Sequence, residues 1–448
     1  MILFPASNTT TAFWFIKSFS LAVYTRIHIL FQDTPTRPKE QVFGCNLHRF
    51  LGVITVGRCL RKGCVMMDRH WLLVIVIVMG FCLLVLPSTS TTTAQGCPDG
   101  QMRVNGVCGD ASLISLTSGW NKIEPGGETA CAHDTPYAYW VRPGLSNDLL
   151  VYFQGGGGCW DADTCRDTGE EFNGFYDSAI TDQDDPKWSQ GMLDFDHPEN
   201  PFAGYTVVYI PVCTGDIHWG DNIHTYEDAE EGDVTIHFKG YVNAAAALDW
   251  AYTNIAAPDS VFVTGCSAGS AGSIYHTPYI IEHYPNTPVY QLGDSLSLLF
   301  TGAVDLQTDW HSHDHFPSWI PALADMQPNE WTMAKHYIAV ANHYPMYTFA
   351  QFNSIRDRVQ VFYTYPNGGG DAEDWSALLD THLAEIEANA PNYRAFTPGG
   401  TLHCVTPRDA FYDYAINGIR FRDWVADLAS GKPVESLHCD DCTTAELQ

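Results

Sequence analysis

Positive charge is what this sequence has least of. Only 23 of its 448 residues are lysine or arginine, against 52 aspartate and glutamate residues. Nine of the basic and three of the acidic side chains fall in residues 1–94, which leaves 14 against 49 and a net charge of −35 on the remainder. A field of that sign repels nucleic acid and anionic membrane surfaces, so neither is expected as a partner. It also disfavours densely polyanionic substrates unless the site is locally basic, and it suits a salty medium in which self-repulsion is screened. Internal repeats are absent, and no linker divides the chain beyond residue 95. The zinc-protease motif H-E-x-x-H is missing too. His311, His313 and His315 in WHSHDHF are the one tempting metal-binding run, but their spacing supplies no evident third ligand. No metal and no cofactor is therefore expected.

Long apolar runs are also scarce, with one exception. Residues 71–86, WLLVIVIVMGFCLLVL, are sixteen nearly unbroken apolar positions, preceded by Met66, Met67, Arg69 and His70 and followed by STSTTTAQG. A short basic flank, an apolar run and small residues form a secretory signal, and Thr92 with Ala94 favours cleavage after Ala94. Residues 1–65 then read as a non-structural upstream extension, 66–94 as the signal peptide, and 95–448 as a single catalytic-sized domain in a secreted protein. A membrane anchor at 71–86, with the catalytic domain outside, is the competing reading, although sixteen residues fall short of the ~20 a span needs. From Cys97 onward there are ten cysteines, an even number that suits oxidised pairs in an exported protein. Cys97 with Cys108 and Cys159 with Cys165 are candidate bridges; spacing does not assign connectivity.

Residues 97–115 read as a cysteine-stapled lead-in. Buried strands are expected at 148–153, 205–211, 260–264 and 289–292, and a further strand at 359–365 (VQVFYTY). The alanine-rich stretch 241–252 reads as a helix, as do 371–389 and the terminal region 409–429. Residues 166–200 and 213–233 show no period and read as loops. Strand, helix, strand, sharp turn, helix is the order of an α/β fold: a mainly parallel sheet covered by helices, with long irregular loops.

The strongest chemical signal is Gly265-Cys266-Ser267-Ala268-Gly269. It fits the G-x-S-x-G turn, in which a serine projects from a strained strand-to-helix junction and needs small neighbours. A serine hydroxyl needs a base, and the base an orienting acid, in the chain order nucleophile, acid, histidine. His403, in the loop after the last strand, is the best base candidate. Asp357 stands slightly ahead of Asp305 and Asp294 as the acid; its competing reading is a surface carboxylate paired to Arg356 or Arg358. The strand at 148–153 runs into Gly155-Gly156-Gly157-Gly158, and the amides of Gly156, Gly157 and Ala268 are the natural oxyanion donors. A phosphate-binding loop is the rival for this run, but it lacks the terminal Lys-Ser/Thr.

These blocks together resemble the pectin acetylesterase family, which also includes the Notum-type carboxylesterases. The likeness is carried by Phe153–Cys159 with Thr164-Cys165, by Gly265–Gly269, by Tyr344-Pro345 through Asn353-Ser354 with Asp357 and Gln360, and by His403-Cys404, and it spans about residues 130–425. It implies an α/β-hydrolase-like fold and a triad of Ser267, Asp357 and His403, with Asp294 a structural or site-lining acid. The pattern differs at Gln154, Gly158 and Ser270, changes that alter the pocket wall and leave acyl chemistry intact. The function so implied is a serine ester hydrolase removing acetyl or other small acyl groups from an extracellular polysaccharide. The alternatives are a lipid-ester or protein deacylase, and a non-catalytic glycan- or protein-binding module on the same scaffold.

Overall fold

The structure, a computed structural model, describes residues 97–439 apart from 99, 171, 300–305 and 366–369. The readings made for 1–65 and 66–94 lie outside the described residues. The described residues form one compact unit.

Fifteen strands are described: β1 Met102–Val104, β2 Val107–Gly109, β3 Asn121–Glu124, β4 Tyr139–Arg142, β5 Leu149–Phe153, β6 Thr206–Ile210, β7 Asn222–Tyr226, β8 Val234–Phe238, β9 Val261–Cys266, β10 Val289–Asp294, β11 Thr348–Phe352, β12 Tyr393–Thr397, β13 Ala415–Ile416, β14 Ile419–Arg420 and β15 Leu437–His438. Eleven of them form one sheet in the order β15-β12-β11-β10-β9-β5-β6-β4-β3-β1-β2. From β15 to β6 every pairing is parallel, and from β6 outward to β2 every pairing is antiparallel. The expected α/β-hydrolase-like class, a mainly parallel sheet covered by helices, is the observed one.

Helices on both faces explain why the central strands lack polar alternation. All five residues of β5, LLVYF, are buried, as are all six of β9, VFVTGC. Leu149, Val151 and Phe153 pack toward α1 (Gly240–Asn254), α2 (Ala268–His283), α3 (Met333–His343) and α5 (Ala372–Asn389). Leu150 and Tyr152 point the other way, into a second core with Phe352, Phe396 and the Phe421, Trp424 and Leu428 face of α6 (Phe421–Ala429). Strands covered on both faces read as continuous apolar runs. Helix α1 follows from its alanine run, and α5 from a capping box in which Asp371 and Asp374 satisfy each other's end-of-helix amides.

Three expectations are corrected. Val359 to Thr364 belong to a helix, α4 (Arg358–Thr364), with Tyr365 as its C-cap, not to a strand. Its β-like alternation is overridden because β11 and β12 already pair with each other, leaving no vacant edge between them, and because Asp357 accepts from the Val359 and Gln360 amides as a helix cap. The aperiodic stretch 213–233 contains β7, which pairs antiparallel with β8. The membrane-anchored alternative is dropped: among the described residues no helix is long and apolar enough to cross a membrane. Residues 71–86 lie outside those described, and sixteen residues would reach only ~24 Å as a helix, short of a ~30 Å hydrocarbon core.

Among the described residues four disulfides join Cys97 to Cys108, Cys131 to Cys213, Cys159 to Cys165, and Cys266 to Cys404. The two candidate short bridges are therefore present, and the two long-range ones are additions.

The core also holds four buried histidines. Burial lowers His218 and His382 to about 4 and His276 and His336 to about 3. Their folded-state values lie below the ordinary 6.5, so the stability they contribute is present above pH 6.5 and is lost as pH falls toward 4 and 3. Asp216, raised by burial to about 6, has the opposite sign and offsets one of the four below pH 6. Urea unfolding between pH 6.5 and 4 should therefore show stability falling with acidification. His336 sits among Trp219, Tyr275 and Phe316, and its Nε2 has no partner. Replacing it with Phe should flatten that slope by up to about 1.4 kcal/mol per pH unit; an unchanged slope would contradict the assignment.

Candidate active site

The parallel strands end at one edge of the sheet, and the candidate residues come from the turns that follow. Ser267 leaves β9 with φ 54° and ψ −123°, a conformation sparsely populated by non-glycine residues, and caps α2. This turn requires small neighbours. A Cβ on Gly269 would collide with the Phe153 carbonyl at the end of β5. The Ser267 amide donates to the Asp294 carbonyl at 2.8 Å, and the Ser270 amide donates back to the Ser267 carbonyl at 2.7 Å.

Asp357 follows β11 and is fully buried. Its Oδ1 accepts from the amides of Val359 at 3.0 Å and Gln360 at 3.1 Å, and its Oδ2 from Gln360 Nε2 at 3.1 Å. His403 Nδ1 lies 2.8 Å from Oδ2 and 3.0 Å from Oδ1. An ionised carboxylate only accepts, so the shared proton is on Nδ1 and the Nε2 lone pair is left for other work. The surface-carboxylate reading of Asp357 does not hold, because Arg356 turns away to pair with Glu373 at 2.6 Å.

Ser267 and His403 line one cavity. They meet there with Gly157, Gly158, Ala268 and Gln360; among the described residues no hydrogen bond joins Ser267 to His403. Such contacts are often open without substrate and tighten when it binds. The rest of the wall is mostly apolar and aromatic, including Ile217, Leu296, Leu298, Leu299 and Trp310, and no lysine or arginine is among its residues.

The glycine run is positioned by the 172–177 segment. Asp177 N donates to Gly156 O at 2.8 Å and Gly158 N to Phe175 O at 3.1 Å. Gly157 thus bridges Tyr176 as a non-hydrogen-bonded pair, with its own N–H and C=O directed away from that strand. Its φ of +75° and the crowding Phe175 carbonyl admit only glycine. Gly157 and Ala268 border the cavity; Gly156 is not in its wall, and its position is packed against Val212 and Asp177. Gly158 is in the wall, with its amide already donated to Phe175.

The other candidates go elsewhere. Asp294 is buried at the end of β10 and bonds to the amides of Val405 and Thr406, not to an imidazole. Asp305 lies outside the described residues. His311 approaches Asp314 at 3.1 Å, His313 meets Ser312 Oγ at 3.2 Å, and His315 reaches Asp221 at 3.3 Å while stacking on Tyr241. Among the described residues no group of three or more His, Cys, Asp or Glu side chains is arranged to hold a metal. Sequence reasoning missed Gln360 as a bridge: it donates to Asp357 and Asn353 and accepts from the Ser297 amide. It also missed the apolar wall at Leu296–Leu299, whose only sequence signal is the run Leu296, Leu298, Leu299 after Asp294.

The family model for pectinacetylesterases matches residues 124–351, a stretch that contains Ser267 and ends before Asp357 and His403. Pectin acetylesterase 4 of Arabidopsis thaliana is 27% identical over 143 residues, 31% of this chain and 33% of that protein, so the match spans about a third of the relative's length. Two crystal forms of the Wnt deacylase Notum from Drosophila share the fold. One has TM-score 0.52 and 16% identity over 69% of this chain and 93% of its own; the other has 0.51 and 15% over 70% and 93%.

Asp357→Asn should cost about 1–3 kcal/mol in urea unfolding, since an amide turns one acceptor into a donor facing groups that already donate. The same variant should move the ring ¹⁵N resonances of His403. Unmoved resonances would contradict the Asp357–His403 bond.

Proposed function

The chain belongs to the pectinacetylesterase family, and from that membership we propose that it is a serine carboxylic-ester hydrolase removing acetyl or another small acyl group from an extracellular polysaccharide. The observation that carries the reading is the convergence of Ser267 and a carboxylate-held His403 on one cavity.

In this mechanism His403 Nε2 takes the proton of Ser267 as its Oγ attacks the ester carbonyl. Asp357 fixes the Nδ1–H tautomer and stabilises the imidazolium that forms. The amides of Gly157 and Ala268, with Gly156 as the third member of the expected set, stabilise the tetrahedral oxyanion; Gly156 is the member with least structural support. The imidazolium returns the proton to the leaving alcohol, and a water, activated by the same ring, cleaves the acyl-enzyme. No cofactor takes part. The absence of lysine and arginine from the cavity wall and the net negative charge favour a neutral acylated glycan over polyanionic pectin.

A second reading, a lipid-ester or protein deacylase, draws support from the apolar wall of Leu296, Leu298, Leu299 and Trp310. The non-catalytic binding module has no comparable observation behind it. The four disulfides favour an oxidising compartment, consistent with residues 66–94 as a removable signal, 1–65 as an upstream extension and 95–448 as one secreted esterase domain.

Expressed under oxidising conditions, residues 95–448 should hydrolyse a short-chain aryl acetate, and folded Ser267→Ala should lose roughly a thousandfold or more of that rate. Equal rates would remove Ser267 from the mechanism. Across aryl esters of increasing acyl length, kcat/KM should be greatest at the shortest chains; a steady rise with length would select the lipid-ester reading instead.

A further inference from the structure

Asp294 is a buried carboxylate beside the candidate site that the mechanism leaves without a task. It is fully buried, burial raises its carboxyl above the usual range, and among the described residues no lysine or arginine pairs with it. A buried carboxylate is costly unless its lone pairs are filled, and here they are filled by the 405–406 loop and by Ser295. Oδ2 accepts from the amides of Val405 and Thr406, at 2.9 and 2.7 Å, and from Thr406 Oγ1 at 2.7 Å. Oδ1 accepts from Ser295 Oγ at 2.8 Å, and that hydroxyl in turn accepts from the Cys404 amide at 3.0 Å. Three consecutive amides after His403 are thereby held, directly or through one hydroxyl, by the Asp294-Ser295 pair. The main chain of the same residue holds the other partner, because the Asp294 carbonyl accepts from the Ser267 amide. The Cys266–Cys404 disulfide ties the residue before Ser267 to the residue after His403, so it supplies a tether, and Asp294 the orientation.

We propose that Asp294 is a positioning residue that sets the spacing between Ser267 and the His403 ring. This rests on the serine-hydrolase reading. Asp294 touches neither reacting atom; it acts through the 404–406 loop and the nucleophile turn. Small displacements of catalytic groups are expensive in rate, whereas residues 404–406 are not among the described residues that line the cavity.

The test compares native protein, Ser267→Ala, Asp294→Asn and Thr406→Val, with sites counted by reaction to completion with a fluorophosphonate and turnover expressed per site. Ser267→Ala hydrolysing at the native rate would overturn the underlying reading on its own. With that reading intact, Asp294→Asn should lose about 10- to 100-fold in turnover per site with KM within about twofold of native. A merely structural role would lower the number of sites or the melting temperature and leave turnover per site unchanged, and that result would overturn the proposal. Should Asp294→Asn not fold, Thr406→Val decides. It keeps the carboxylate and removes one donor, so a loss of about fivefold per site supports the proposal and native turnover per site contradicts it.

Discussion

The parallel register of β5, β9, β10, β11 and β12 is the constraint on which the candidate site depends. Cys266 aligns with Asp294, Asp294 with Phe352, and Phe352 with Phe396, so one row of the sheet marks the last residues of β9, β10 and β11 and the penultimate residue of β12. Ser267 is the next residue after that row on β9, Asp357 follows five residues after it, and His403 seven. Phe153 pairs with Gly265 in the adjoining row, which brings the glycine run to the same edge. Side chains alternate faces along a strand, so a slip of one residue would invert the burial of a whole strand. With Phe153 facing one core and Phe352 and Phe396 facing the other, such slips are strongly disfavoured.

Within that frame, local chemistry does the aiming. Asp357 caps the helix that begins after it, His403 is held by that carboxylate, and the bonds of Gly156 and Gly158 to Asp177 and Phe175 hold Gly157 between them. The disulfide to Cys404 adds a covalent link across 138 residues of sequence. Removing such a long loop's freedom from the unfolded chain stabilises the fold by several kcal/mol, ~4–5 by the chain-entropy estimate. The strongly acidic sequence contrasts with a cavity wall whose described residues are mostly apolar; in the proposed mechanism that low-polarity wall receives the acyl group and strengthens the bonds to the developing oxyanion.

Much of this was legible in the sequence because the signals were local. The apolar runs of β5, β6 and β9, the alanine helix α1, and the small-residue turn around Ser267 each carry their own pattern. The family resemblance strengthened what spacing gave only slightly, a preference for Asp357 over Asp294 and Asp305. Reading failed where tertiary context overrode propensity. VQVFYT has the residues of a strand, but it lies after Asp357, whose carboxylate fits a helix cap. Hairpin β7–β8 was hidden in a polar stretch because its outer face is half exposed and mixed. The Cys266–Cys404 pairing and the bonds from Asp294 to Val405 and Thr406 join segments more than a hundred residues apart, and no local pattern announces them.

The central claim is that Ser267 is a nucleophile activated by a carboxylate-held histidine. Its most direct test is to incubate the folded protein with a fluorophosphonate, follow residual esterase activity, and map the adduct by peptide mass spectrometry. The account predicts one adduct per chain, on the peptide containing Ser267, formed in proportion to the activity lost. Full retention of activity without an adduct, or an adduct on a different residue accompanying the loss, would contradict it.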